Sequence, residues 1–227
     1  MNSVLRQQAR IRQRALLLTT AALPLTGWAV HAVALHKQIA DGRKDPLTGL
    51  LGRPELHTHV QRRLRRHRDG LHVLMLDGIG FKAVNDTFGH AGGDAAIQTI
   101  SRRLASWSTG RRALAARLGG DEFAVSVVLD PATALSEITA LREQLQQPFP
   151  FEQHTLHLGV TVGIARAADL PGEDASRILR GADTAMYKVK QGTAAFPYCA
   201  TRADAYTKTV NGRRIGRPGT HLLAGAA

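Results

Sequence analysis

Cysteine, aromatic residues and acidic residues are all scarce in this sequence of 227 residues. The single cysteine, Cys199, excludes an intramolecular disulfide and any zinc site built from cysteines. Aromatic residues make up 5% of the chain, which argues against a binder that stacks single-stranded bases on aromatic side chains. Lysine and arginine number 30 against 18 acidic residues, giving a formal net charge of +12. This balance favours polyanionic partners such as nucleotide phosphates, anionic lipid head groups or nucleic acid.

The first forty residues differ in pattern from the rest of the chain. Four arginines between residues 6 and 14 precede an uncharged run over residues 15–35. A run of this length can cross a bilayer as a helix, although Pro24 would kink it. The pattern predicts an N-terminal apolar helix that attaches the chain to a membrane. A signal peptide and a helix buried against a second copy of the chain are the alternatives.

Helical and strand patterns alternate between residues 41 and 192. Apolar residues at helical spacing predict helices over Pro54–Arg66, Asp94–Trp107, Leu135–Leu145 and Asp174–Lys190. Apolar or alternating runs predict strands over Leu71–Leu76, Ala113–Leu118, Phe123–Leu129 and Leu156–Ala165. Gly119 and Gly120 suit a tight hairpin between the second and third of these strands. The chain therefore divides into an N-terminal segment (1–40), a domain (41–192) and a basic tail (193–227) that is loosely ordered or a short hairpin.

Carboxylates follow a buried strand and a neighbouring hairpin turn. Asp77 ends the strand that begins at Leu71, and Asp121 and Glu122 lie at the hairpin. Because adjacent strands lie about 4.8 Å apart, these side chains can share one ion. Oxygen ligands of this kind suit Mg²⁺, which completes its coordination with water and substrate phosphates. Lys82, a few residues after Asp77, adds a positive charge for those phosphates.

Five blocks of sequence carry a resemblance to a known family. Residues 117–123, Arg-Leu-Gly-Gly-Asp-Glu-Phe, resemble the signature of the GGDEF family, the diguanylate cyclases. Asp45-Pro-Leu-Thr-Gly-Leu, Phe81-Lys-Ala-Val-Asn-Asp and Gly89-His-Ala-Gly-Gly-Asp appear in that family's order, and residues 182–190 resemble its closing helix. Ordered blocks across residues 41–192 are far more specific than a lone five-letter motif.

The resemblance implies a fold of helices and strands (α/β in the broad sense), and more specifically an α+β, palm-like domain. Its central, mostly antiparallel sheet is flanked by helices, as in nucleotidyl cyclases. Such domains condense two GTP molecules into cyclic di-GMP and release two pyrophosphates. Each protomer of a homodimer presents one GTP, and Mg²⁺ or Mn²⁺ is the implied cofactor. Since GTP is intracellular, the domain is expected in the cytoplasm, attached to the cell membrane through residues 15–35.

The resemblance also implies roles for individual residues. Metal ligands are expected at Asp77, the Gly78 carbonyl and Asp121. Catalytic roles are expected for Asp121 as the base, Glu122 and Lys82. Substrate binding is expected at Phe81, Asn85, His90, Asp94 and Lys190. Asn85 and Asp94 would read guanine, and Asp94 would exclude ATP because adenine offers no donors at that edge. The alternative for Asn85, Asp86 and Asp94 is that they cap the helix that follows; Asp94 is well placed as such a cap, and the two roles are compatible.

The sequence departs from the family pattern at several positions. Ile79 stands where the family usually has an acidic residue, and Gly52 replaces an asparagine. Thr193, rather than an arginine, directly follows Gly192, and Gly110 and Ala113 replace the two charged residues of the product-inhibition motif. The departures leave open a catalytically degenerate GGDEF module that binds GTP as a receptor or scaffold. A nucleic-acid binder is the least favoured reading, because only the net charge supports it.

Overall fold

The described elements build a four-stranded antiparallel sheet with helices on both faces. The structure, a computed structural model, describes His31 and residues 44–207, and the predicted N-terminal apolar helix lies outside them apart from His31. The helices are α1 (Arg53–His67), α2 (Phe81–Ser108), α3 (Ala134–Leu145), α4 (Ala175–Lys190) and the short α5 (Arg202–Ala205). The strands are β1 (Leu71–Ile79), β2 (Ala113–Gly119), β3 (Glu122–Val128), β4 (Phe149–Phe151), β5 (His154–Leu156) and β6 (Gly159–Arg166).

The main sheet has the strand order β2-β3-β1-β6, and all of its pairings are antiparallel. The strands β4 and β5 form a separate two-stranded hairpin. The expected α+β architecture, an antiparallel sheet flanked by helices, is confirmed. No helix of the described residues is long and apolar enough to cross a membrane.

The sheet separates two apolar layers, because successive side chains of a strand point to opposite faces. Leu74 and Leu76 pack in the layer that contains α2 and α3. Val73 and Met75 pack in the layer that contains α1 and α4. Every residue of β1 from Leu71 to Gly78 is buried, so the strand holds the polar Asp77 rigidly at the end of an apolar segment.

Helix α4 lies directly against β6 at Gly163. A Cβ atom at this position would lie 2.0 Å from the Met186 nitrogen and 2.3 Å from the Ala182 oxygen. Only glycine therefore allows the helix backbone to approach the strand this closely. The contact fixes the position of α4, whose last residue is Lys190.

The predicted helices and strands agree with the structure except at the start of α2 and around the β4–β5 hairpin, after which β6 begins at Gly159 rather than Leu156. Helix α2 begins at Phe81 rather than Asp94, and it continues across a kink at Gly89 (φ 68°, ψ −176°). Glycines and short polar side chains between residues 85 and 94 concealed this first part of the helix. The β4–β5 hairpin was also missed, because each strand has three residues, too few for a visible alternation.

The prediction of a loose tail was wrong for residues 198–207. Cys199 forms a bridge with Ile164 of β6, and α5 begins at a capping box on Thr201. Asp204 is 1% exposed, and its carboxylate accepts hydrogen bonds from Lys188 Nζ (2.7 Å) and the Tyr198 hydroxyl (2.9 Å). These contacts join the end of the described chain to α4.

Candidate active site

Asp77, Gly78 and Asp121 meet at one end of the sheet, where β1 lies beside the β2–β3 turn. Asp77 is 3% exposed and lies opposite Glu122 in the pairing of β1 with β3. The Gly78 N–H donates to the Asp121 carbonyl at 3.2 Å. A Cβ atom at Gly78 would lie 3.3 Å from Asp121 Oδ2, so the Asp121 side chain lies over the Gly78 backbone. Glycine at this position makes room for the Asp121 carboxylate over the backbone that directly follows Asp77.

The turn that carries Asp121 depends on two glycines and one arginine. Gly119 and Gly120 have φ values of 138° and 55°, which glycine adopts without strain. Arg117 Nε donates to the Gly120 carbonyl at 3.0 Å. Its Nη1 donates to both oxygens of Asp45, at 2.8 and 2.9 Å. Arg117 thus connects the turn to the beginning of the domain.

Asp45 is a residue whose role sequence reasoning missed. Its carboxylate also accepts hydrogen bonds from the Thr48 N–H (2.9 Å) and hydroxyl (2.7 Å). Burial tends to raise the pKa of Asp45, but the hydrogen bonds from Thr48 and Arg117 and the guanidinium charge outweigh it and lower that pKa. The Asp45-x-x-Thr48 spacing signals a side-chain turn, whereas no local pattern signals a partner at residue 117.

The N-terminus of α2 follows directly after Asp77 at the same end of β1. Gly80 has a left-handed φ of 83°, and its carbonyl accepts from the Val84 N–H at 3.1 Å. The helix has no side-chain cap, and its first N–H groups carry a partial positive charge that suits a phosphate. Phe81 is partly buried and Lys82 exposed in this first turn.

The three candidate base-binding residues lie around the kink of α2. A Cβ atom at Gly93 would lie 2.0 Å from Asn85 Oδ1, so the Asn85 amide packs on the backbone directly before Asp94. Asp94 and His90 are both exposed. The predicted capping role of Asp94 is wrong, because the residue lies inside α2 rather than at a helix N-terminus.

Lys190 lies at the Asp77 carboxylate, whereas the sequence predicted a contact with phosphate. Its ammonium group donates to Asp77 Oδ1 in a salt bridge. The Lys190 side chain is 40% exposed, whereas that of Asp77 is 3% exposed. The pairing therefore joins a fixed, buried carboxylate to a cation at the surface.

Ile79 occupies the rim of the same site. The side chain is 48% exposed, and a Cβ atom at Gly159 of β6 would lie 2.9 Å from Ile79 Cβ. The residue therefore places an apolar surface, rather than a charge, two positions beyond Asp77.

The donors at this end of the sheet fit a divalent cation. Asp77 and Asp121 offer carboxylate oxygens and Gly78 a backbone carbonyl, all hard oxygen donors. Mg²⁺ commonly takes one or two protein carboxylates and completes its octahedron with water and substrate phosphates. Within the described part of the chain, no group of three or more His, Cys, Asp or Glu side chains is placed to hold a metal. Water and substrate would have to supply the remaining ligands.

Comparisons with known proteins identify relatives for most of the chain. Residues 43–195 match the family model described as "Diguanylate cyclase, GGDEF domain". An uncharacterized 19.3 kDa protein of Streptomyces ambofaciens is 42% identical over 168 residues, covering 74% of this chain and 89% of that protein. Diguanylate cyclase DgcN of Escherichia coli is 37% identical over 169 residues, covering 72% of this chain. The match spans only 41% of DgcN.

The fold also has counterparts among solved structures. The isolated GGDEF domain of PA1120 from Pseudomonas aeruginosa is 33% identical, with a TM-score of 0.64. The match covers 71% of this chain and 96% of that one.

Proposed function

This chain is a member of the GGDEF domain family, and we propose that it is a diguanylate cyclase, which condenses two GTP molecules into cyclic di-GMP. The observation that carries the proposal is the position of Asp121 over Gly78, the residue after Asp77, where a Cβ atom would contact Asp121 Oδ2 at 3.3 Å. Two carboxylates in this arrangement suit the metal-assisted transfer of a nucleotidyl group.

In this reaction the 3′-oxygen of one GTP attacks the α-phosphorus of the other. A P–O bond forms, the bond to pyrophosphate breaks, and the hydroxyl proton passes to Asp121. The same transfer in the opposite direction, from the second 3′-oxygen to the first α-phosphorus, closes the ring and releases the second pyrophosphate. Asp77, Asp121 and the Gly78 carbonyl would hold Mg²⁺ or Mn²⁺, which supplies charge neutralisation and a lower pKa for the attacking hydroxyl. Glu122 supports the base, and Lys82 and the N-terminus of α2 bind the phosphates.

Recognition of guanine is assigned to the kink of α2. The Asp94 carboxylate accepts from the N1–H and N2–H₂ groups of guanine, and the Asn85 amide completes the contact. His90 and Phe81 lie beside the nucleotide. Adenine lacks donors at this edge, so ATP would leave the Asp94 carboxylate without hydrogen bonds.

The reaction requires two copies of the chain, because one site that holds one GTP cannot supply the second nucleotide. We assign pairing of the chains and attachment to the cell membrane to residues 1–40, with the domain of residues 41–192 in the cytoplasm. The assay that checks this assignment measures the rate against protein concentration. A rate that stays strictly proportional to protein concentration below the dimer dissociation constant would overturn it.

The rival function is a GGDEF module that binds GTP without turnover. The exposed Ile79 favours it, because the side chain removes a negative charge beside the metal ligands.

Incubation of the protein with GTP and Mg²⁺, followed by chromatography and mass spectrometry, separates the two functions. We expect cyclic di-GMP from the wild type and none from Asp121→Asn. The matched variant Asp130→Asn, an exposed aspartate remote from this end of the sheet, controls for the loss of one charge. Tight GTP binding without any cyclic dinucleotide would refute the cyclase.

A further inference from the structure

We propose that Lys190 is an exchangeable counter-ion for the metal ligand Asp77. Its ammonium neutralises Asp77 until a divalent cation binds, and it then passes to the phosphates of the nucleotide. The proposal rests on the proposed function and adds a coupling between metal binding and nucleotide binding.

The burial of Asp77 is the first reason for this role. A carboxylate that is 3% exposed loses most of its hydration, so its charge needs a partner. The Lys190 ammonium is that partner at Oδ1. A metal ion that binds Asp77 would be repelled by an ammonium on the same carboxylate, so the two cations exclude each other.

The position of Lys190 is the second reason. It is the last residue of α4, and its side chain is 40% exposed. The ammonium can therefore leave Asp77 by rotation of its own flexible stem, without unpacking the core. Because α4 is fixed against β6 at Gly163, the base of that stem stays beside the site.

Lys188 provides an internal comparison on the same helix. Its side chain is 39% exposed, but its ammonium contacts the buried Asp204 (2.7 Å) and the Tyr198 hydroxyl (3.1 Å). Hydrogen bonds from Lys188 to these two groups raise its pKa and strengthen its cationic form. This lysine joins α4 to residues 198–207, away from Asp77.

The exchange makes metal and nucleotide bind cooperatively. Without a nucleotide, the cation must displace the ammonium from Asp77, and no phosphate is present to receive it. With a triphosphate present, the displaced ammonium gains a new partner. Metal affinity should therefore rise when nucleotide is bound, and this coupling should depend on a cation at position 190.

The test measures Mn²⁺ affinity by electron paramagnetic resonance, first for the metal alone and then with a non-hydrolysable GTP analogue. We expect Lys190→Met to bind Mn²⁺ alone about fivefold or more tightly than the wild type. The gain in affinity that the analogue produces should shrink by a similar factor. Lys190→Arg retains a cation and should restore wild-type behaviour, and Lys188→Met should leave Mn²⁺ affinity unchanged.

Two outcomes would overturn the proposal in distinguishable ways. If Lys190→Met and the wild type bind Mn²⁺ alone with equal affinity, the exchange is wrong and the cyclase proposal is untouched. If neither protein binds Mn²⁺, even with the analogue, the metal site itself fails and the proposed function fails with it. Thermal melting of each variant verifies that the affinities belong to folded protein.

Discussion

Replacement of Asp45 by alanine should destabilise the domain through the turn that carries Asp121. The carboxylate accepts hydrogen bonds from the Thr48 N–H and hydroxyl and from Arg117 Nη1 at both oxygens. The Arg117 and Asp45 side chains are 12% and 23% exposed, so water replaces these contacts only in part. Hydrogen bonds to charged groups contribute about 1.5–3 kcal/mol each and are not additive, so we expect a loss of about 3 kcal/mol. For a domain of this size, the melting temperature should fall by about 6–12 °C.

Urea unfolding of Asp45→Ala, Arg117→Ala and the double variant measures the interaction directly. We expect a coupling energy of about 1–2 kcal/mol between the two positions. The control is Asp169→Ala, which removes a pair with Arg166 at 3.6 Å whose side chains are 32% and 40% exposed. That pair should contribute less than about 0.5 kcal/mol. Additive effects at 45 and 117, or an Asp45→Ala loss no larger than the control, would refute the reasoning.

The same substitution should also reduce cyclase activity. Arg117 Nε holds the Gly120 carbonyl, and an Arg117 side chain without its carboxylate no longer fixes the turn. Displacement of a catalytic group by a fraction of an ångström lowers rates severely, so we expect roughly a tenfold loss of kcat in folded protein. Asp45→Asn, which keeps an acceptor for Thr48, should lose less.

Three further predictions concern acid stability, helix packing and feedback. Burial and the charges of neighbouring arginines lower the pKa of His59 from 6.5 to about 4, so the folded protein binds this proton less readily than the unfolded chain. The free energy of unfolding should be highest above pH 6.5 and should decrease by about 2 kcal/mol between pH 6.5 and pH 4, a magnitude that allows for the partial exposure of His59. Urea titrations at each pH measure this decrease, which should be smaller in His59→Gln. Gly163→Ala should lower the free energy of unfolding by about 3 kcal/mol in the same assay, because α4 must move away from β6. Gly181→Ala should lower it by less than about 1 kcal/mol, because its Cβ would lie 3.2 Å from its nearest neighbour. Because Gly110 and Ala113 supply no guanidinium or carboxylate, cyclic di-GMP should not inhibit non-competitively at sub-micromolar concentration, and a product titration of initial rates checks this.

The sequence was most informative where a local pattern determines the structure. The alternation and apolar runs of β1, β3 and β6 are set by burial on one or both faces, so these strands could be located from residue types alone. Glycine at 119 and 120 likewise specified the hairpin, because few other residues adopt its positive φ values. The order of the motif blocks then predicted that Asp77 and Asp121 belong to one site, and the structure places Asp121 over Gly78, the residue after Asp77.

Contacts between distant parts of the chain could not be predicted in this way. The pairing of Asp45 with Arg117 joins residues 72 positions apart, and that of Lys190 with Asp77 joins residues 113 apart. Neither leaves a periodic signal, because each depends on how the elements pack. The first half of α2 was missed for the opposite reason. Its glycines and polar residues indicate a loop locally, but packing of Asn85 against Gly93 and of Val84 in the core stabilises the helix.

The departure at Ile79 and the pairing of Lys190 affect the same balance of charge. Asp77, Asp121 and Glu122 contribute three negative charges to this end of the sheet, and the Lys190 ammonium offsets one of them. An acidic residue at 79 would add a fourth negative charge, which one ammonium could not offset. With isoleucine there, the ligand atoms remain and only the surrounding field is weaker, so metal affinity should decrease without loss of a ligand. A site of this kind depends more on the nucleotide phosphates to hold its ion. The substitution that argues most strongly for a degenerate module is therefore also consistent with a cyclase that acquires its metal together with GTP.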